Sequence, residues 1–202
     1  MIYLVRHGMT SWNEMQLWQG VVDTELSSKG IEQATKIGKF FKSQNISVDI
    51  IYSSPMKRAF QTAKLIASTF GYDDEKIYLD PRLRECEVVL WNGKTIDEIT
   101  NKYSEEFKIW QTTLYSNIQG VESLGSVQNR VFEFLQEKLV QNAGKNVIIV
   151  SHAITLRMLI IKVLNLYPPN HLNFSLDNAS ISGLEITNGR IRVKFLNYTF
   201  HL

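Results

Sequence analysis

With a single cysteine, Cys86, the chain cannot form an internal disulfide, which fits a reducing compartment. It holds only 4 prolines and 11 glycines in 202 residues, so neither a collagen-like nor a low-complexity segment is present, and no flexible linker marks a second domain. Charge of one sign is also missing. Twenty-two Lys and Arg face 20 Asp and Glu, and a net +2 is too small to argue for nucleic acid or a membrane surface as partner. No apolar run reaches the ~20 residues that a bilayer span needs. The first apolar run is broken at Arg6-His7, unlike a secretory signal. The four histidines (His7, His152, His171 and His201) are scattered and have no zinc-like spacing with Cys86, so no metal and no cofactor are expected. The expected setting is the cytoplasm; oligomeric state is not legible.

What is there is an ordinary globular composition, 44% hydrophobic and 21% charged, long enough to bury one sizeable core. Ile2 to Val5, Val48 to Tyr52 and Asn146 to Val150 read as short buried strands. Helical patterns follow each of them. Ser27 is placed to cap the first, and Ala59, Phe60, Ala63, Ile66, Ala67 and Phe70 form the apolar stripe of the second. Ile154, Met158, Ile161 and Val163 continue the third until Pro168-Pro169 forbids it. Leu124, Val127, Val131, Leu135 and Leu139 predict another helix, crossing back before the third strand. Ile181 to Thr187, Asn188-Gly189 and Arg190 to Asn197 read as a hairpin. The fold class is therefore α/β: one domain over 1–202, with a mostly parallel central sheet, an antiparallel edge strand and helices on both faces. Residues 94–120 read as a mostly helical insertion over the pocket.

Each of the three strands ends in polar donors ahead of a helix. The first ends at Arg6-His7-Gly8, with the Asn13 amide soon after; the second leads to Arg58; the third leads to Ser151-His152-Ala153. In open α/β sheets this C-terminal edge is where ligands bind. Two arginines suited to paired hydrogen bonds, two histidines, an amide and the backbone N–H at Ala153 make a site for a phosphoryl group. A neutral imidazole can attack phosphorus, but chemistry alone leaves open which histidine does so.

Leu-x-Arg-His-Gly-x-Thr-x-x-Asn (from Leu4), Ser-Ser-Pro-x-x-Arg-Ala-x-x-Thr-Ala (from Ser53), Leu83-Arg84-Glu85 and Ser151-His152-Ala153 occur in that order. Together they resemble the histidine phosphatase superfamily, also called phosphoglycerate-mutase-like, over residues 2 to about 165. The resemblance implies a three-layer sandwich. It also implies that His7 is the nucleophile, that His152 is a phosphate ligand beside it, and that Glu85 is general acid and then base. Arg6, Arg58, Asn13 and Ala153 complete the phosphate site. Trp18 to Asp23 resembles the loop bordering the family's pocket, so Gln19 and Gly20 are expected to touch substrate, while Trp18 could pack or bind. Glu122-Ser123 resembles the family's Gly-Glu-Ser motif.

Glu87 is the runner-up to Glu85. Leu17, Trp18, Trp91 and Tyr115 are expected around the leaving group, and Arg157 as a structural ion-pair partner. His171, His201 and Cys86 are assigned no function. Val89 stands where many members have glycine, which affects the local backbone and the fit of Glu85, and Met9 replaces a frequent Glu or Gln. Cofactor-dependent phosphoglycerate mutases look longer after the catalytic glutamate and carry Glu-Arg-x-Tyr-Gly there; this chain has neither. The shorter form resembles the phosphatase branch, which includes α-ribazole and phosphoserine phosphatases, and the expected partner is a small phosphomonoester. A mutase is the alternative. A non-catalytic phospholigand-binding protein is a second alternative, but it would be expected to have lost His7, an arginine or His152, and all are present.

Overall fold

The computed structural model describes residues 1–187 and 189–202. Its elements are β1 (Ile2–Arg6), α1 (Ser11–Glu14), α2 (Ser28–Ser43), β2 (Ile50–Ser53), α3 (Lys57–Ser68), β3 (Ile77–Leu79), α4 (Ile96–Lys102), α5 (Ser104–Thr112), α6 (Leu124–Gln141), β4 (Val147–Ser151), α7 (Ala153–Val163), β5 (Ile181–Thr187) and β6 (Arg190–Tyr198). One six-stranded sheet runs in the order β3-β2-β4-β1-β5-β6. The pairs β3–β2, β2–β4 and β4–β1 are parallel, whereas β1–β5 and β5–β6 are antiparallel.

Alternation along each strand builds the layers. Tyr3, Val5, Ile51, Ile148 and Val150 face α2 and α3, meeting Ile37, Phe41, Ala63 and Ile66. Ile2, Leu4, Val147 and Ile149 face the opposite way, onto Val131, Phe134 and Leu135 of α6 and Leu156 and Leu159 of α7. A third cluster holds Trp91, Phe107, Trp110, Val127, Met158 and Ile161, so α7 is apolar nearly all round because it is covered on several sides.

The antiparallel edge expected from the sequence is a two-strand hairpin. Only β5 opposes the parallel strands, and β6 lies outermost. Asn188, half of the expected Asn-Gly turn, lies outside the described residues. Ser27 caps α2, its Oγ accepting from Gly30 N at 3.3 Å. The short strand β3 and the one-turn helix α1 were not anticipated. Among the described residues, no helix is long and apolar enough to cross a membrane.

Candidate active site

β1 and β4 lie side by side at the sheet centre, with Arg6 paired to Ser151. The pairing continues one step beyond the strands, where His7 N donates to Ser151 O at 3.0 Å. It therefore brings Arg6-His7 beside Ser151-His152, and the two imidazole centroids are 5.1 Å apart. On the other flank of β4, Ser54 N donates to Val150 O, which carries the start of α3 and Arg58 to the same edge.

A cavity of about 250 Å³ opens there. Its lining includes Arg6, His7, Asn13, Gln19, Gly20, Arg58, Glu85 and Ala153, eight of the nine residues expected at the site. His152 lies behind the wall, fully buried against His7, with its Nε2 2.8 Å from Ser54 Oγ and its Nδ1 unpaired.

His7 is almost fully buried, and its Nδ1 lies 2.7 Å from the Gly8 carbonyl. A carbonyl only accepts, so Nδ1 carries the proton and Nε2 keeps its lone pair. Arg58 Nε donates to that nitrogen at 3.2 Å. Burial, then Arg58 and Arg6, holds the His7 pKa well below its usual value. Burial does the same to His152, helped by Arg58 and His7. Both rings are neutral near pH 7. Burial also pulls Arg6 and Arg58 down to about 10, which leaves both charged. Carbonyls fix the two guanidiniums: Arg6 Nη1 donates to Leu176 O at 2.6 Å, and Arg58 donates to Gly20 O and Val22 O, each at 2.8 Å.

Glu85 does not pair with a neighbouring arginine. Its Oε2 accepts from Ile154 N and its Oε1 from Thr155 N, Thr155 Oγ1 and Cys86 N, so the carboxylate caps the first turn of α7. This narrows the anion site expected at that helix start. Of these first-turn N–H groups, Ala153 N is the one Glu85 leaves free. Arg82 pairs with Asp80 and Glu137 instead. Glu87 does not line the cavity, and its backbone binds Glu122.

Several expectations are corrected. Trp91 is fully buried and Tyr115 is 64% exposed over Gly125, and neither lines the cavity. Leu17 and Trp18 do line it. Trp18 also packs edge-on against Trp91, Phe107 and Trp110, so it both lines the site and joins the aromatic cluster. Helices α4 and α5 form within residues 94–120, yet none of those residues lines the cavity; they pack behind Trp18. Arg157, expected in an ion pair, has none among the described residues and lines the cavity. Val89 has no positive φ and is 54% exposed, so losing the glycine strains nothing. Cys86 borders the cavity with a thiol that burial, Glu85 and Glu122 keep protonated.

Other residues build the site without a role assigned from the sequence, although Thr62 stands within the motif that begins at Ser53. Asn178 donates to His7 O and to Asn13 Oδ1; its only signal was a polar pair ahead of the last hairpin. Thr62 Oγ1 accepts from Gly8 N and donates to Arg58 O. Arg130 pairs with Glu122 and donates to the carbonyls of Arg82, Arg84 and Glu85, fixing the segment that carries Glu85.

Buried arginines around a neutral histidine, at the carboxyl edge of a mostly parallel sheet, define a phosphoryl-transfer enzyme of the α/β class. The chain belongs to the histidine phosphatase superfamily (branch 1), whose family model matches residues 2–199. It is 33% identical over 202 residues to phosphoserine phosphatase 1 of Hydrogenobacter thermophilus, covering 100% of this chain and 93% of that one. It is 34% identical over 189 residues to a probable phosphoglycerate mutase GpmB of Salmonella choleraesuis, covering 91% and 84%. A crystal structure of phosphoserine phosphatase from Entamoeba histolytica in complex with phosphoserine superposes with a TM-score of 0.88 at 28% identity, covering 100% and 98%. The chain is a phosphoric monoester hydrolase of this superfamily.

Proposed function

We propose that hydrolysis proceeds through a phosphohistidine on His7, with Glu85 as proton donor and then acceptor, without a metal ion and in the cytoplasm. The observation that carries this reading is the His7 tautomer, with Nδ1–H on the Gly8 carbonyl and Nε2 beside Arg58. Nε2 attacks phosphorus, the bond from phosphorus to the ester oxygen breaks, and the Glu85 proton goes to that oxygen. Glu85 then takes a proton from water, the water oxygen attacks phosphorus, and the P–N bond breaks to free phosphate. Arg6 and Arg58 face the charge on the phosphoryl oxygens, supplying what a metal would otherwise give. The Asn13 amide, the Ala153 N–H and His152 add donors, and the Gln19 and Gly20 loop borders the substrate. All nine residues act on one small phosphomonoester, with a carboxylated ester such as phosphoserine supported by the named relatives.

The test is phosphate release from a phosphomonoester panel in excess EDTA, beside His7→Ala. Turnover should survive EDTA and fall roughly ten-thousandfold in the variant. Turnover that needs added metal, or that persists without His7, would sink the mechanism. The likeness to a probable phosphoglycerate mutase favours a second reading. Conversion of 3- to 2-phosphoglycerate without release of phosphate would establish it.

A further inference from the structure

Arg157 is the one arginine of the cavity with no hydrogen bond or ion pair among the described residues, and its Nε is buried without a partner. Arg6 Nε is also without a partner, but the guanidiniums of Arg6 and Arg58 are each tied to carbonyls, and that of Arg157 is not. The Arg157 Nε is costly to leave unpaired, because it has left water without replacement, and the half-buried side chain lines the cavity, where an anion can meet it. Asp177, a carboxylate outside the cavity whose charge acts on it, is exposed and held by Asn197. Glu85 spends both oxygens on the first turn of α7.

The position of Arg157 says where its anion would sit. It follows Ala153 by four residues on α7, about 6 Å of helix rise, on the face it shares with Ile154, which also lines the cavity. Helical side chains lean toward the N-terminus, so the guanidinium reaches back into the cavity beside, but not at, the phosphoryl end. Charge points the same way. Both histidines are neutral, and Arg6 and Arg58 already set two positive charges against a phosphoryl dianion, so the charge of Arg157 is left for a second anionic group.

We propose that Arg157 binds a carboxylate on the leaving-group side of the substrate, so that the site selects phosphomonoesters carrying a second anionic group a short carbon skeleton away from the phosphoryl group. A planar guanidinium matches a carboxylate with two parallel hydrogen bonds. The inference rests on the phosphatase reading for its location, but its test does not depend on turnover.

The experiment compares substrates that differ in the carboxylate alone: phosphoserine against phosphoethanolamine, and 3-phosphoglycerate against glycerol 3-phosphate. kcat/KM is measured for the wild type, Arg157→Gln and Arg157→Lys, and calorimetric binding of the second pair is measured alongside. The wild type should favour the carboxylated member of each pair. In Arg157→Gln that preference should shrink by ~30-fold, mainly through KM, and Arg157→Lys should restore part of it. A purely structural role would depress both members of a pair equally and leave their ratio intact. An unchanged ratio in the glutamine variant, or no preference in the wild type, would overturn the proposal. If the wild type releases no phosphate from any of the four, the phosphatase reading fails, and the calorimetric ratio still decides on Arg157.

Discussion

Asn178 ties together two groups that chemistry needs in register. Its Nδ2 donates to the His7 carbonyl at 3.2 Å and to Asn13 Oδ1 at 3.1 Å, while Thr10 N and Oγ1 hold the same Asn13 oxygen. With Oδ1 occupied, the amide N–H₂ of Asn13 is the end left to donate to a phosphoryl oxygen. Asn178→Ala should therefore lower kcat by roughly ten- to a hundredfold, since small displacements of an aligned donor are costly, while shifting the thermal midpoint little. Steady-state kinetics beside a melting curve checks this; an unaltered kcat would mean that Thr10 alone suffices. At this scale the sequence disclosed the groups whose chemistry is obligatory. Arg6, His7 and Arg58 stand out because a phosphoryl dianion calls for cations and a nucleophile, whereas Glu85 is picked out only by the resemblance of Leu83-Arg84-Glu85 to the family motif. Asn178, Thr62 and Arg130 act by holding others, and a polar side chain that binds a backbone carbonyl looks the same in sequence as one that binds water. Arg157 was misjudged for the same reason: its lack of a partner is visible only in three dimensions.

At the element scale, the loop after β1 meets the start of α2 almost backbone to backbone. A Cβ on Gly8 would come within 2.5 Å of Gly30 O, and one on Gly30 within 2.0 Å of Met9 O. Neither glycine has a positive φ, so the close approach of the two backbones explains both. Ser27 N donates to Met9 O across the same contact, fixing the cap of α2 against the His7 loop. Gly30→Ala should push α2 away from that loop, destabilising the fold by about 2 kcal/mol and reducing activity in the surviving native protein. Urea unfolding with assays at low denaturant would measure both. A fully active, equally stable variant would show that the contact yields freely. The central strands were legible because three or four consecutive apolar residues, buried on both faces, leave little else to be. Their ends differ by one or two residues from expectation because backbone pairing runs past the apolar run, as Arg6 with Ser151 shows. β3 was missed because it has only three residues and buries one, Ile77. The segment 94–120 was read as helical from its pattern. What its helices cover depends on Phe107 and Trp110 meeting Trp18, a contact far apart in sequence.

For the whole molecule, the histidines make the fold acid-sensitive in a window of their own. Burial lowers all four: His7 and His152 well below their usual value, His171 to about 4, and His201 by a smaller margin. In the unfolded chain each takes up a proton near its ordinary pKa of about 6.5, while the folded state does not. Below about 6.5 the unfolded state therefore binds more protons, and stability falls as pH falls. Above that value these groups contribute no slope. Each histidine that stays neutral steepens the fall by about 1.4 kcal/mol per pH unit, down to its own folded pKa. Between about pH 6 and 4.5 the slope belongs mainly to the histidines, because carboxylates such as Asp80, whose folded pKa is lowered below its usual value by Arg82 against the opposing effect of burial, exchange protons further down. His171 separates this effect from the active site. It is buried against Trp110 and does not line the cavity. Denaturant unfolding from pH 7.5 to 4.5 should show a plateau above about 6.5 and a descent below it. His171→Leu should make that descent shallower by about one proton's worth. Stability that stays flat through pH 5 would mean that the folded protein accepts those protons, and the neutral His7 required for attack on phosphorus would have to be reconsidered with it.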